Sequence, residues 1–353
     1  MVSSFAEDSV GPALPAGARR VEAAAALSIS AGSKSFAAAA CLFDRHTRTD
    51  VRLLYAWCRY CDDQIDGQAL GHGMHALPSA NEARAKLKRL RHLTHEAFAD
   101  RPTGNDAFEA LRLLARRRNL SEALATEHLA GFTMDVEGQR FETFDDTLTY
   151  CYRVAGIVGI LMARIMGAEH ENTLDRACDL GIAFQLTNIA RDLVDDAHRG
   201  RVYVPERWIA EAGLRPGTLA EPENRAALAA LATRLLEAAE PFYASARIGL
   251  GDLPMRSAWA VATALGAYRA IGLAVNARGA RAWDTRTTTG AFRKVALAAR
   301  SAGTAFGSRI ATRPERDPQL WKRPRPNDKS VSYDEPSTSF GTASPSFTVS
   351  SAS

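Results

Sequence analysis

Strand-forming patterns are nearly missing from this chain. Few stretches alternate apolar with polar residues over the roughly four to eight positions a half-buried strand needs, which argues against a sandwich, a barrel or a βαβ sheet. A disulfide framework is improbable too. The five cysteines are an odd count, and Cys41, Cys58, Cys151 and Cys178 sit in apolar helical contexts, which fits a reducing cytoplasm. Cys58-Arg59-Tyr60-Cys61 has redox spacing, but no βαβ pattern surrounds it and no second Cys/His pair completes a zinc site, so core packing is the reading. Histidine is sparse. Neither His72/His75 nor His92/His95 comes with a third ligand, and no histidine is assigned to catalysis.

Long apolar runs are also wanting. Val154 to Ala163, bracketed by Arg153 and Arg164, falls far short of the roughly 20 residues of a spanning helix and reads as a buried core helix. Met1 to Arg20 carries Glu7, Asp8, Pro12 and Pro15 and no apolar h-region, which argues against a secretory signal. The net charge is only +4 with acids and bases interspersed, so no nucleic-acid partner is expected.

What the chain has in abundance is helix. Alanine-rich segments with apolar spacings of three and four recur from Val21 to Arg309, separated by short Gly, Pro or Asp breaks, and predict an all-α fold. The clearest are Thr49 to Ile65, Ser121 to Glu137, Asp146 to Met166, Leu174 to Asp196, Asn224 to Ala246 (with a kink at Pro241) and Met255 to Ala277. Residues 1–20 are expected to be flexible, 21–312 to form one catalytic domain, and 313–353 to be a disordered Pro/Ser/Thr-rich tail.

Two acidic stretches interrupt this apolar background, Asp62-Asp63-Gln64-Ile65-Asp66 and Asn188-Ile189-Ala190-Arg191-Asp192-Leu193-Val194-Asp195-Asp196. Residues four apart share a helix face about 6 Å from one another, so Asp62 and Asp66 form one row and Asn188, Asp192 and Asp196 another. A single Asp-x-x-x-Asp is more often a solvated face. Here Tyr55-Ala56-Trp57-Cys58 leads into the first row and Gly181-Ile182-Ala183-Phe184 into the second, so both helices are made of core residues. Two carboxylates about 6 Å apart repel by roughly 3 kcal/mol at an effective dielectric near 20. A hard divalent cation removes the conflict, and oxygen-only ligands fit Mg²⁺ or Mn²⁺ completed by phosphate and water.

Donors suited to a diphosphate lie nearby in sequence: Arg59, Arg191, Ser33-Lys34-Ser35, and the basic loop Arg199-Gly200-Arg201, placed to close over an anion. Gly71-His72-Gly73-Met74-His75-Ala76 formally matches a dinucleotide fingerprint. It follows a helix where that fold needs a strand, and reads as a loop.

Ser33-Lys34-Ser35-Phe36, Tyr55 through Asp66, Tyr150-Cys151-Tyr152-Arg153-Val154-Ala155-Gly156, Gln185 through Pro205 and Ala282-Trp283-Asp284 together resemble the bacterial phytoene synthases, head-to-head isoprenyl synthases of the squalene/phytoene synthase family. The resemblance spans about Val21 to Arg325. It implies an all-α isoprenoid-synthase bundle around a central apolar cavity. It implies Asp62, Asp66, Asn188, Asp192 and Asp196 as Mg²⁺ or Mn²⁺ ligands, with Asp63 and Asp195 in support. Arg59 and Tyr150 join Asp62, Asp66, Asp192 and Asp196 as catalytic residues. Ser33, Ser35, Tyr55, Arg59, Val154, Val158, Gln185, Arg191, Tyr268 and Arg286 carry over as substrate contacts.

The implied reaction joins two geranylgeranyl diphosphates through prephytoene diphosphate into phytoene, the 15-cis isomer being expected, without NADPH. The resemblance leaves ATP open as an activator, and peripheral membrane contact and downstream carotenoid enzymes open as associations of a cytoplasmic enzyme. Phe36 and the small Ala40 share a helix face and are expected to leave depth for a C20 tail. The rival readings are a squalene or dehydrosqualene synthase acting on farnesyl diphosphate, and a non-catalytic helical scaffold.

Overall fold

The computed structural model describes residues 16–67, 78–287 and 290–325. Among these the α-helices are α1 (Ala16–Gly32), α2 (Lys34–Ala40), α3 (Arg45–Asp66), α4 (Ala80–Phe98), α5 (Asp106–Arg118), α6 (Glu122–Val136), α7 (Phe144–Cys151), α8 (Ile157–Ile165), α9 (Glu171–His198), α10 (Glu206–Glu211), α11 (Arg225–Gly249), α12 (Met255–Arg278) and α13 (Ala291–Gly307). No strand occurs among the described residues. The all-α expectation holds. The Gly71–Ala76 loop with His72 and His75 lies outside the described residues.

The two acid-bearing helices organise the bundle. α9 packs on α11, α8, α12 and α7, and α3 packs on α1, α5, α8, α4 and α6. Helical periodicity divides α3 cleanly. Leu53, Leu54, Trp57, Cys61 and Ile65 are buried, while Tyr55, Cys58, Arg59, Asp62 and Asp66 turn to a central cavity. On α9, Ala177, Leu180, Phe184, Asn188, Asp192 and Asp195 face the same hollow.

The stretch expected as one helix from Asp146 to Met166 runs as a continuous helix from Phe144 to Ile165 with one irregular turn inside it. Between α7 and α8 the residues Tyr152–Gly156 wind as a π-helical turn, a feature that recurs at functional sites. The turn lies where two helices touch backbone to backbone. A Cβ at Gly181 of α9 would stand 2.2 Å from the carbonyl oxygen of Ala155, and one at Gly159 would stand 2.2 Å from that of Ala177.

Phe144–Ile165 and Met255–Arg281 are long and apolar enough to cross a bilayer by composition alone. Each packs on other helices, the first on α9 and α6 and the second on α13, α9 and α11.

Both expected domain boundaries move. α1 begins at Ala16, inside the segment expected to be flexible, and buries Val21, Ala25 and Ile29. At the other end the compact unit runs to Trp321 and a second unit begins at Lys322. Residues 313–321 are therefore not tail: Arg316 pairs with the fully buried Asp179, and the Trp321 ring lies 5.2 Å from that of Tyr152. Residues 1–15 and 326–353 lie outside the described structure.

Candidate active site

A cavity of about 610 Å³ opens between α3 and α9, and Asp62, Asp66, Asn188, Asp192, Asp195 and Asp196 all line it. Each row runs out to a helix terminus, with Asp66 closing α3 and Asp195 and Asp196 in the last turn of α9. Asp44 caps the start of α3 by accepting from the amides of His46 and Thr47, and the helix ends at Gly67 (φ 64°), directly after Asp66. α9 ends two residues after Asp196, and Gly200 follows at φ 70°. Carboxylates at a helix C-terminus oppose the helix dipole, each by about 0.3–1 kcal/mol. Fold stability does not account for them there.

Arginines hold the acids in this structure. Arg59 Nη1 donates to Asp62 at 2.6 Å, and Arg201 Nη1 from the loop after α9 donates to Asp66 at 2.6 Å. Arg191 forms a two-pronged pair with the neighbouring Asp192, and Arg286 reaches the same carboxylate at 3.6 Å. Burial and then Asp66 push the Asp62 carboxyl above its ordinary range, tempered because 38% of its side chain stays open. Burial and then Asp192 push Asp196 up to about 8. Asn188 adds an amide oxygen that is buried without a hydrogen-bond partner.

This donor set fits a hard divalent cation: oxygen atoms only, acids crowded enough to resist ionisation, one orphaned carbonyl. Among the described residues no three His, Cys, Asp or Glu side chains converge on one point. Mg²⁺ commonly takes one or two carboxylates and completes its shell with phosphate and water.

Below the mouth the lining turns apolar, with Phe36, Ala40, Phe43, Leu54, Val154, Val158, Met162 and Val261 among its residues. Tyr55, Arg59, Tyr150, Gln185, Arg191, Tyr268 and Arg286 line it as well, so the structure gathers nearly all of the sequence-predicted contacts. Tyr268 stacks on Phe184 with centroids 4.0 Å apart, and Gln185 accepts from the Asn188 amide at 3.3 Å. Ser33 and Asp63 are not among the lining residues. Ser33 instead caps α2 by accepting from the Phe36 amide at 3.3 Å, and the Ser35 side chain lies outside the described structure.

Two polar lining residues of α6, Asp135 and His128, escaped the sequence reading. Asp135 of α6 accepts from Tyr203 at 2.8 Å and from Tyr150 at 3.2 Å, tying together two rings stacked 4.5 Å apart. Burial lifts this carboxyl to about 6. His128, one helix face above, packs on Trp57 and Phe132, and burial lowers it to about 4, so it is neutral. Arg201 belongs to the loop expected to close over an anion, and here the anion is Asp66. The available signal was a lone acid or imidazole inside the apolar run of α6.

A hollow with acid rows at its mouth, guanidinium groups between them and a greasy body fits the class of enzymes that act on prenyl diphosphates. The squalene/phytoene synthase family model matches residues 29–300, and this chain belongs to that family. It is 50% identical over 293 residues to the 15-cis-phytoene synthase of Enterobacter agglomerans, covering 83% of this chain and 99% of that one. The 15-cis-phytoene synthase of Pantoea ananas is 49% identical over 296 residues, 84% of this chain and 96% of that one. Among solved structures, a dehydrosqualene synthase in complex with ligand superposes with a TM-score of 0.73 at 25% identity, over 82% of this chain and 98% of that chain. Squalene synthase HpnC from Alicyclobacillus acidocaldarius shares the fold, with a TM-score of 0.66 at 22% identity over 75% and 97% of the two chains.

Proposed function

We propose that the protein condenses two geranylgeranyl diphosphates head to head into phytoene, the 15-cis isomer, the reaction that commits prenyl diphosphates to carotenoids. The observation that carries this reading is one cavity, acidic and basic at the mouth and apolar below, in a chain half identical to 15-cis-phytoene synthases. The allylic C–O bond of one substrate breaks, releasing diphosphate. The double bond of the second attacks the resulting cation, and proton loss leaves cyclopropyl prephytoene diphosphate. A second ionisation, rearrangement and proton loss yield the hydrocarbon.

On this reading Asp62, Asp66, Asn188, Asp192 and Asp196 hold Mg²⁺ or Mn²⁺, whose bound form supplies Lewis-acid neutralisation of a departing diphosphate. Arg59, Arg191 and Arg201 then have phosphate oxygens as partners in place of the carboxylates they now neutralise. Tyr150, Val154 and Val158 keep water from the cations, and the tyrosine ring offers them an aromatic face. Ala40, small and 2% exposed, leaves the cavity deep beneath Phe36, which favours C20 over C15 tails.

The test is incubation with geranylgeranyl diphosphate and Mg²⁺ or Mn²⁺, without NADPH, followed by identification of the hydrocarbon. A C40 triene-centred product supports the proposal. A C30 product made only from farnesyl diphosphate assigns the protein to the squalene branch, and no turnover of either leaves the scaffold reading.

A further inference from the structure

The far end of the cavity is built from charge. Arg176 lies on the second turn of α9, about 24 Å before Asp192 at 1.5 Å per residue, and it lines the cavity while only 3% exposed. Its stem runs against Gly249 at the end of α11: a Cβ there would stand 2.9 Å from Arg176 Cβ and 3.3 Å from Cδ. Its head is taken up by protein acceptors. Nη1 donates to the Ser245 carbonyl at 3.2 Å, and Nη2 donates to the Pro314 carbonyl at 2.6 Å. Thr173, one turn earlier, lines the same end and donates to Asp252 at 2.9 Å.

The segment that supplies the Pro314 carbonyl is itself tied down. Arg316 donates through two nitrogens to Asp179, at 2.8 and 2.6 Å, and Asp179 also accepts from Ser245 Oγ at 2.5 Å. Arg313 bridges Asp252 at 2.6 Å and the Gly251 carbonyl at 2.9 Å. A guanidinium held at both faces cannot swing aside as a leucine or methionine would. Burying one is unfavourable unless its N–H groups are matched, and here backbone carbonyls match them.

We propose that the anchored stem of Arg176, with Thr173 beside it, is a steric stop that sets the longest prenyl tail the protein accepts, and that residues 309–321 hold it in place. This rests on the prenyl-condensing function proposed above. Arg176 is a specificity-determining residue, and the 309–321 segment positions it. A tail of four isoprene units fits above the stop and a tail of five meets it.

The experiment is a competition between C20 (geranylgeranyl) and C25 (geranylfarnesyl) diphosphates with full-length protein, reading products by chromatography. Wild type is expected to strongly favour C20. Arg176→Ala is expected to raise the C25 to C20 ratio of kcat/KM at least about tenfold, and Thr173→Ala to raise it by less. A general loss of stability lowers both rates together and does not move this ratio. Should Arg176→Ala fail to fold, wild-type selectivity and Thr173→Ala decide the matter. Wild type that uses C25 as readily as C20, or folded variants with an unmoved ratio, overturns the stop. Absence of any hydrocarbon from C20 in wild type instead overturns the proposed function.

Discussion

Arg201 joins the two acid-bearing helices. It leaves the loop after α9, crosses to α3 and donates to Asp66 at 2.6 Å, with each side chain 17% exposed. Asp135 and Asp66 both feel this charge. Removing it leaves Asp66 without its counterion and, on the proposed reading, a diphosphate without one of its donors. Arg201→Ala is expected to lower phytoene formation about 10²-fold, with Arg201→Lys intermediate, in steady-state assays. An unchanged rate would take Arg201 out of the site.

The acid rows themselves give a second expectation. Asp62→Asn and Asp192→Asn keep the shape of each side chain and remove its charge. Either is expected to lower prephytoene diphosphate formation by about 10²–10³-fold, measured on the first half-reaction alone. Near-normal formation in both variants would refute the roles proposed for these residues.

The crowding at the mouth has a signature in pH. In the folded protein Asp62 and Asp196 hold protons above the 3.8 of a free aspartate, Asp196 up to about 8. A carboxyl raised on folding stabilises the fold most below its unfolded pKa, and that contribution fades as pH climbs through the folded value. Metal-free protein is therefore expected to lose thermal stability between pH 6 and pH 8.5 through these groups. Mn²⁺ competes with the protons, so its affinity should rise over the same interval and its effect on Tm should be larger at pH 8.5. Melting curves at the two pH values, with and without Mn²⁺, check both signs; an equal Mn²⁺ effect at both contradicts them.

Tyr150→Phe keeps the ring stacked on Tyr203 and deletes the hydroxyl that donates to Asp135. Losing one bond to a charged acceptor is expected to slow turnover about tenfold without changing substrate length preference. Single-turnover kinetics decide; an unaltered rate confines the tyrosine to its ring.

Ala40→Phe fills the space beneath Phe36. One isoprene unit contributes about 4 kcal/mol of burial at roughly 0.8 per methylene, so shortening the cavity is expected to move preference toward farnesyl diphosphate. Some loss of stability, about 1–3 kcal/mol, accompanies overpacking at a buried alanine. Substrate ratios in competition, not absolute rates, are the readout, and an unmoved ratio counts against the packing argument.

The parts of the site legible in the sequence were those written along one helix. Asp62 and Asp66, or Asn188, Asp192 and Asp196, declare a shared face through their spacing, and the structure puts both faces on one cavity. Asp135 and His128 carry no such mark, because a lone polar residue in an apolar helix acquires meaning only from what another element brings opposite, here Tyr150, Tyr203 and Trp57. The π turn at Tyr152–Gly156 was likewise hidden: the backbone it packs against is that of Gly181, far off in sequence. Residues 313–321 lack periodicity altogether. Their order comes from individual long-range partners, Asp179 for Arg316 and Tyr152 for Trp321.

The contact of Gly159 and Gly181 with opposing carbonyls means that one wall of the cavity has its spacing set by main chain. Substituting the side chains that project from that wall can alter the length and texture of the bore, while the seam between α8 and α9 is held by the backbone. A lineage of such proteins is then free to explore longer or shorter hydrocarbons one residue at a time, while that backbone seam stays constant.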